Sequence, residues 1–396
     1  MVGMADTTLE SNFGDLPMDI IEEIVLRLDP KSLVKFQWVN KHWFSKINNP
    51  KFMILHHKQQ LPRTLLCFQL NDGMLCSVRN SENFSEISYK RFPIYKNNYN
   101  NKRQIKFVGS DNGVICWLQQ YPYYSINLWN PAIDKCKKLP TSPVYVSCPY
   151  TKLYGIGYEP LNNDFKVVVA CGGQQFPKWL NGGFFRKGEK ICVYSLKTNS
   201  WKTIDMPDIF SNEDHDEMQI TLEIPNRENS TVVNGSIHWA IYYSLREIMC
   251  DLTTKVVAFD LSSEEFKLIE FPSSLETKGF SIKSICNLFG YLSLLTKSSS
   301  TSSIEIWVMK EYGVWDSWTK YYSLDLGTQP MLQCASDIII WEFGHVTHNG
   351  NLLFQPYMHK KNTLYFYDLK SKTLQNIELQ IGFSYVSNYR ESIFLS

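Results

Sequence analysis

The 396-residue sequence has no apolar run approaching the ~20 residues that a membrane-spanning helix needs, and its first dozen residues contain no hydrophobic leader core. No membrane partner is therefore expected, and the expected location is the cytosol or nucleus. Charge of one sign is also missing. Forty Lys and Arg balance 39 Asp and Glu, so the net charge is +1, and no long basic run offers a footprint for nucleic acid. The ten cysteines stand singly, with no C-x-x-C pair; this argues against a zinc ribbon or a disulfide framework and leaves reduced, mostly buried thiols.

Catalytic constellations are wanting too. Of the eight histidines, only His345 and His348 lie at a metal-like spacing, and no cysteine or carboxylate cluster completes a site beside them. Gly172-Gly173 and Gly182-Gly183 lack the contexts in which glycines cradle phosphate. The expectation is a non-catalytic chain with no metal and no cofactor.

What the chain does have is aromatic residues, at 14%, and two different periodicities. Residues 15–52 are helical in pattern. Asp15 can cap a helix that accepts Pro17 in its first turn and runs to about Leu28. Ile20, Ile21, Ile24, Val25 and Leu28 fall within an arc of roughly 140°, opposite Asp19, Glu22 and Glu23, and that arc should face a core. Leu26 lies on the polar side, where an internal core would not need it. Asp29-Pro30 repeats the cap-plus-proline signal, and Leu33, Phe36, Val39, Trp43 and Ile47 follow at spacings of three and four, until Asn48-Asn49-Pro50 ends the stretch. Residues 56–62 read as a linker or helix end. Three or so short helices in about forty residues bury too little apolar surface to stand alone, so a partner is expected.

From Arg63 onward the period is that of strands. An alternating strand ending in a polar turn is followed by an aromatic or apolar residue five positions on, and three further by Ile or Leu. Cys136 and Leu139, Trp201 and Ile204, Phe266 and Ile269, and Leu374 and Ile377 occupy these positions. Before most units stands a glycine with apolar residues two and four positions on, at Gly113, Gly235, Gly290 and Gly350. Repeats of roughly 45 to 65 residues, each too small to bury itself, point to a β-propeller. Five units are visible. Residues 63–78 and 381–395 would complete a sixth by pairing the two ends of the β region. The stretch from Gly155 to Trp201 departs from the pattern, and a two-sheet β-sandwich is the alternative. The expected organisation is α+β and multidomain: a tail over 1–12, a small all-α domain over 13–58, and a mainly antiparallel all-β domain over 59–396, most simply a six-bladed propeller.

Residues 16–52 resemble the F-box. The match is carried by Leu16-Pro17, Ile20, Ile24, Leu26, Arg27-Leu28, Lys31-Ser32-Leu33, Phe36, Val39, Lys41, Trp43, Ile47 and Pro50-Lys51-Phe52. The resemblance implies docking to a Skp-type adaptor held by a cullin scaffold in a ubiquitin ligase. It places Leu16, Pro17, Ile20, Leu26, Leu33, Val34 and Trp43 against the adaptor. A second resemblance, to the F-box-associated domain of plant F-box proteins and within it to the S-locus F-box group, is carried by Leu128-Trp129-Asn130-Pro131, Tyr154-Gly155-Ile156-Gly157-Tyr158, Phe165-Lys166-Val167-Val168, His238-Trp239, Phe259-Asp260-Leu261 and Ile306-Trp307-Val308-Met309. It implies a substrate receptor of an SCF-type ligase whose β-domain grips a substrate protein, with a secreted-type ribonuclease as the substrate the S-locus likeness suggests. The alternative is a non-catalytic interaction propeller acting outside a ligase. Loops on a rigid scaffold carry recognition. The residues expected to bind substrate are Tyr89, Arg91, Phe92, Tyr95, Tyr99 and Arg103 in residues 89–103, and Arg186 and Lys187 in residues 174–190, because interfaces favour aromatic and arginine side chains.

Overall fold

A computed structural model describes residues 16–396 except 71–72, 94–104, 120–123, 144–151, 172–189, 208–229, 244–252, 272–279, 299–302, 326–340, 357–362 and 380–382. Four short helices come first: α1 (Met18–Leu26), α2 (Pro30–Phe36), α3 (Lys41–Ile47) and α4 (Pro50–Gln59). The N-cap of α1 is Pro17, with no side-chain cap, whereas the other three starts are set by side-chain caps. Asp29 Oδ1 accepts from the Lys31 and Ser32 amides at 3.0 and 3.1 Å, Asn40 Oδ1 from Trp43 N–H at 2.9 Å, and Asn49 Oδ1 from Lys51 N–H at 2.9 Å. The Asp15 cap lies outside the described residues.

Two expectations need correction here. The second helical stretch is two helices, because Asn40, in extended conformation, caps a new start at Lys41. Asn49-Pro50 likewise opens α4, with proline at the first position where its missing N–H costs nothing, so it does not end the helical region. The stretch 56–62 is therefore mostly helix, and only residues 60–62 separate α4 from the first strand.

The remainder is six four-stranded antiparallel sheets. Blade one holds β1 (Arg63–Leu70), β2 (Gly73–Asn80), β3 (Glu86–Arg91) and, as its innermost strand, β24 (Phe383–Tyr389). Blade two is β4 (Ile105–Asp111), β5 (Val114–Gln119), β6 (Ser125–Asn130) and β7 (Lys135–Lys138); blade three is β8 (Lys152–Glu159), β9 (Asp164–Cys171), β10 (Lys190–Ser195) and β11 (Ser200–Asp205). Blade four is β12 (Thr231–Val233), β13 (Ser236–Tyr243), β14 (Thr253–Asp260) and β15 (Phe266–Ile269). Blade five is β16 (Phe280–Leu288), β17 (Tyr291–Ser298), β18 (Ser303–Met309) and β19 (Trp318–Asp325), and blade six is β20 (Trp341–Val346), β21 (Leu352–Pro356), β22 (Thr363–Asp368) and β23 (Thr373–Glu378). The ring closes where β24 pairs with β1, Arg63 opposite Tyr389, as the sequence led one to expect; six separate sheets exclude the sandwich.

The repeated residues explain themselves in this frame. Gly113, Gly235 and Gly290 follow Asn112, Asn234 and Phe289, and both members of each pair have positive φ, the two-residue hairpin turn between a blade's first and second strands. Blade three departs because its turn is built differently: the Glu159 carboxylate accepts from the Leu161 and Asn162 amides, and Asn163 takes the positive φ. Its glycines serve packing between blades. A Cβ on Gly155 would stand 2.6 Å from Cζ2 of Trp239, and one on Gly157 2.6 Å from Cδ1 of Leu261. The outer-strand tryptophans tie neighbouring blades together. Trp201 Nε1 donates to the Pro140 carbonyl at 2.9 Å, and Trp318 Nε1 to the Glu270 carbonyl at 3.0 Å, in each case just beyond the last strand of the preceding blade.

Candidate functional site

The apolar core of the helical segment is Val25, Leu26, Leu33, Trp43, Ile47, Phe52 and Met53. Trp43 packs edge-on against Phe36 with ring centroids 5.2 Å apart. Of the arc expected to face a core in α1, Val25 is buried and Ile21 and Leu28 pack against the core, but two members turn outward. Ile20 and Ile24 are 48% and 49% exposed, whereas Leu26 is buried at the end of the helix, where the chain turns into α2. Of the positions expected to face an adaptor, Leu16, Pro17 and Ile20 are exposed and Val34 is half-buried; Leu26, Leu33 and Trp43 are buried in this chain's own core and form the platform, not the surface.

Further large apolar side chains are exposed, among them Val39, which the periodicity had placed with the core. Met18 stands beside Leu16 and Ile20 in sequence, and Trp38, Val39 and Phe44 surround the break between α2 and α3. Trp38 is 73% exposed, its ring 5.6 Å from that of Phe44. A signal existed: Trp38-Val39 are consecutive apolar residues at a helix break, and both cannot point inward. Ion pairs at the margin, Lys46–Glu22 at 2.7 Å and Arg27–Glu23 at 2.6 Å, leave the apolar groups uncovered. Large side chains exposed at this density mark an interaction surface.

The segment is fixed to the propeller and does not hang from it. His56, fully buried, uses Nε2 to hold the Leu28 carbonyl at 2.8 Å, and His57 Nδ1 holds the Glu391 carbonyl at 3.0 Å. Burial holds the His57 pKa down at about 4, so it is neutral at neutral pH. Arg390 donates to the Lys58 carbonyl at 3.1 Å. Beyond it the chain runs between the helices and blades two and three. Asn130 Nδ2 donates to the carbonyls of Ser392 and Phe394, and the Phe394 ring packs on Tyr158 and Phe165. The helical core, Ile393, Phe394 and these two blades form one continuous apolar cluster.

Strand alternation then separates two ends of the propeller. The turns from first to second strand, such as Asn112-Gly113, lie at the end that carries α4. Every connection from second to third strand and from one blade to the next joins strand ends at the other. Residues 89–103 and 174–190, in which recognition was expected, belong to those connections or run into them. Tyr89 and Arg91 are exposed on β3. Phe92 is corrected: it is buried, its ring 5.8 Å from Trp117 and 4.6 Å from Trp129, and so belongs to the core. Tyr95, Tyr99, Arg103, Arg186 and Lys187 lie outside the described residues. Among the described residues no group of three or more His, Cys, Asp or Glu could hold a metal, and no helix is long and apolar enough to cross a membrane.

A model of the F-box domain matches residues 13–55, and a model of the F-box associated beta propeller domain matches residues 63–394. The chain belongs to the F-box proteins with an associated β-propeller. Relatives of this F-box protein in Arabidopsis thaliana include F-box protein At4g22390, 29% identical over 329 residues (78% of this chain, 74% of the relative), and F-box protein CPR1, 27% identical over 319 residues (78% and 73%). F-box/kelch-repeat protein At3g23880 is 24% identical over 335 residues (81% and 82%).

Proposed function

We propose that this F-box protein is the substrate receptor of an SCF-type ubiquitin ligase, working in the cytosol or nucleus. The observation that carries the reading is the exposed apolar face of residues 16–44, on helices joined to the propeller by three residues and a shared core. A Skp-type adaptor covers that face and a cullin holds the adaptor. The propeller end remote from α4 holds a substrate protein. The chain supplies no reacting group; it supplies proximity. Holding a lysine-bearing substrate within reach of an activated ubiquitin-conjugating enzyme raises their effective concentration to the order of millimolar, and a stiff connection preserves orientation as well as distance. A ribonuclease as the substrate rests on the sequence resemblance to the S-locus group alone.

The test is co-purification with a Skp-type adaptor. Leu16→Ala with Pro17→Ala, both exposed, is expected to abolish capture while the propeller's thermal transition stays within a degree or two. Unchanged capture by the double variant would overturn the adaptor assignment, and the chain would then be an interaction propeller working outside a ligase.

A further inference from the structure

At the end of the propeller that carries α4, a cavity of ≈ 580 Å³ lies between the helices and the central channel. Its walls include His57 and Lys58 from the end of α4, His345 and His348 from blade six, and Arg390 beyond β24. Asp111 is the one carboxylate among the lining residues, and it is already engaged: its oxygens accept from the Tyr158 amide at 2.7 Å and the Asn112 amide at 2.9 Å. Among the described residues no carboxylate pairs with Arg390 or Lys58. The guanidinium of Arg390 spends one N–H on the Lys58 carbonyl, while its Nε is buried without a partner.

Lys58 and Arg390 bring two cations to this space, which His57, His345 and His348 also line, and among the described residues neither cation is paired with a carboxylate. Burial, then Arg390, His345 and His57, hold the His348 pKa down at about 3. A cavity of this size suits a small molecule, and its lining includes an ammonium, Lys58, and a guanidinium with a buried unpartnered Nε, Arg390, groups that bind oxyanions. The pair His345/His348, whose spacing suggests a metal, has no third ligand among the described residues and lines this cavity.

We propose that this cavity binds a small phosphate-bearing anion, which bridges α4, blade six and the carboxy-terminal strap and so braces the helical segment on the propeller. The proposal does not depend on what the adaptor face binds. Its test is calorimetric titration of the full chain with inorganic phosphate, against chloride at equal ionic strength, together with melting curves. Saturable 1:1 binding and a melting temperature that rises with phosphate are expected. His348→Gln and Arg390→Gln should each weaken binding at least about tenfold, whereas Lys137→Gln, on the outer strand of blade two, should leave it unchanged. Should Arg390→Gln loosen the strap and fail to fold, His348→Gln decides alone, since no hydrogen bond of the fold depends on it among the described residues. No saturable binding beyond the chloride control, or equal binding by wild type and His348→Gln, would refute the site.

Discussion

Trp38 and Trp43 stand five residues apart and should behave oppositely. Trp38 is 73% exposed and Trp43 is 6% exposed. A tryptophan offers on the order of 200 Å² for burial, so a partner covering Trp38 removes about 150 Å² of it from water. At about 25 cal/mol per Å² that is some 3–4 kcal/mol, and Trp38→Ala should weaken adaptor binding by a factor of roughly a hundred or more. Its effect on folding should stay near the ~0.5 kcal/mol of surface substitutions, because most of the ring is already in solvent beside Phe44. Trp43→Ala removes a ring enclosed by Phe36 and the rest of the helical core and should cost about 3–5 kcal/mol of stability, with binding lost only because the platform melts. Surface plasmon resonance against immobilised adaptor gives the affinities, and circular dichroism melts give the stabilities. If Trp43→Ala lost affinity with its melt intact while Trp38→Ala bound like wild type, the assignment of inner and outer faces would be wrong.

Four further outcomes are expected. Phe394→Ala should cost about 3–5 kcal/mol and split the melt into separate helical and propeller transitions in calorimetry, because that ring sits where the two bodies share a core. Gly155→Ala should destabilise by about 1–3 kcal/mol in urea unfolding, since the added methyl meets Trp239 at 2.6 Å. Tyr89→Ala, on the exposed edge of blade one, should alter substrate capture and leave adaptor capture unchanged; loss of both would contradict the separation of ends. Burial holds the His238 pKa down at about 4, against 6.5 when unfolded. The folded state therefore refuses a proton that the unfolded state accepts; the stabilisation is full above pH 6.5 and is lost as pH falls from there toward 4. Urea midpoints should drop across that window, and His238→Gln should flatten the slope by one proton.

The propeller was legible in the sequence because its signals are local. A glycine after asparagine at a hairpin, alternation along a strand, and a tryptophan at a fixed distance beyond it each follow from the backbone needs of a few adjacent residues, as Asn112-Gly113 and Trp201 illustrate. The closure by β24 and β1 was legible too, since a ring of sheets leaves two edges to be paired. The helical segment was recognisable as a unit, and Val25, Leu33, Trp43 and Ile47 face its core as expected, but Ile24, Leu26 and Val39 were assigned to the wrong side. Helices of seven to ten residues have two or three turns, so periodicity leaves the direction of the core open by a residue or more; Ile24 and Leu26 exchanged places on that account.

What the sequence by itself determined, then, is the kind of each element and the order of the blades, because these depend on neighbours along the chain. Tertiary structure alone decided that Phe92 is core, that α4 and residues 390–395 lock the helices to one end of the ring, and that basic groups from both ends of the chain share a cavity. His57 and Arg390 are more than three hundred residues apart in sequence, and no local rule of spacing or turn chemistry relates them; only closure of the ring brings the last strand beside the first and sets both side chains around one cavity.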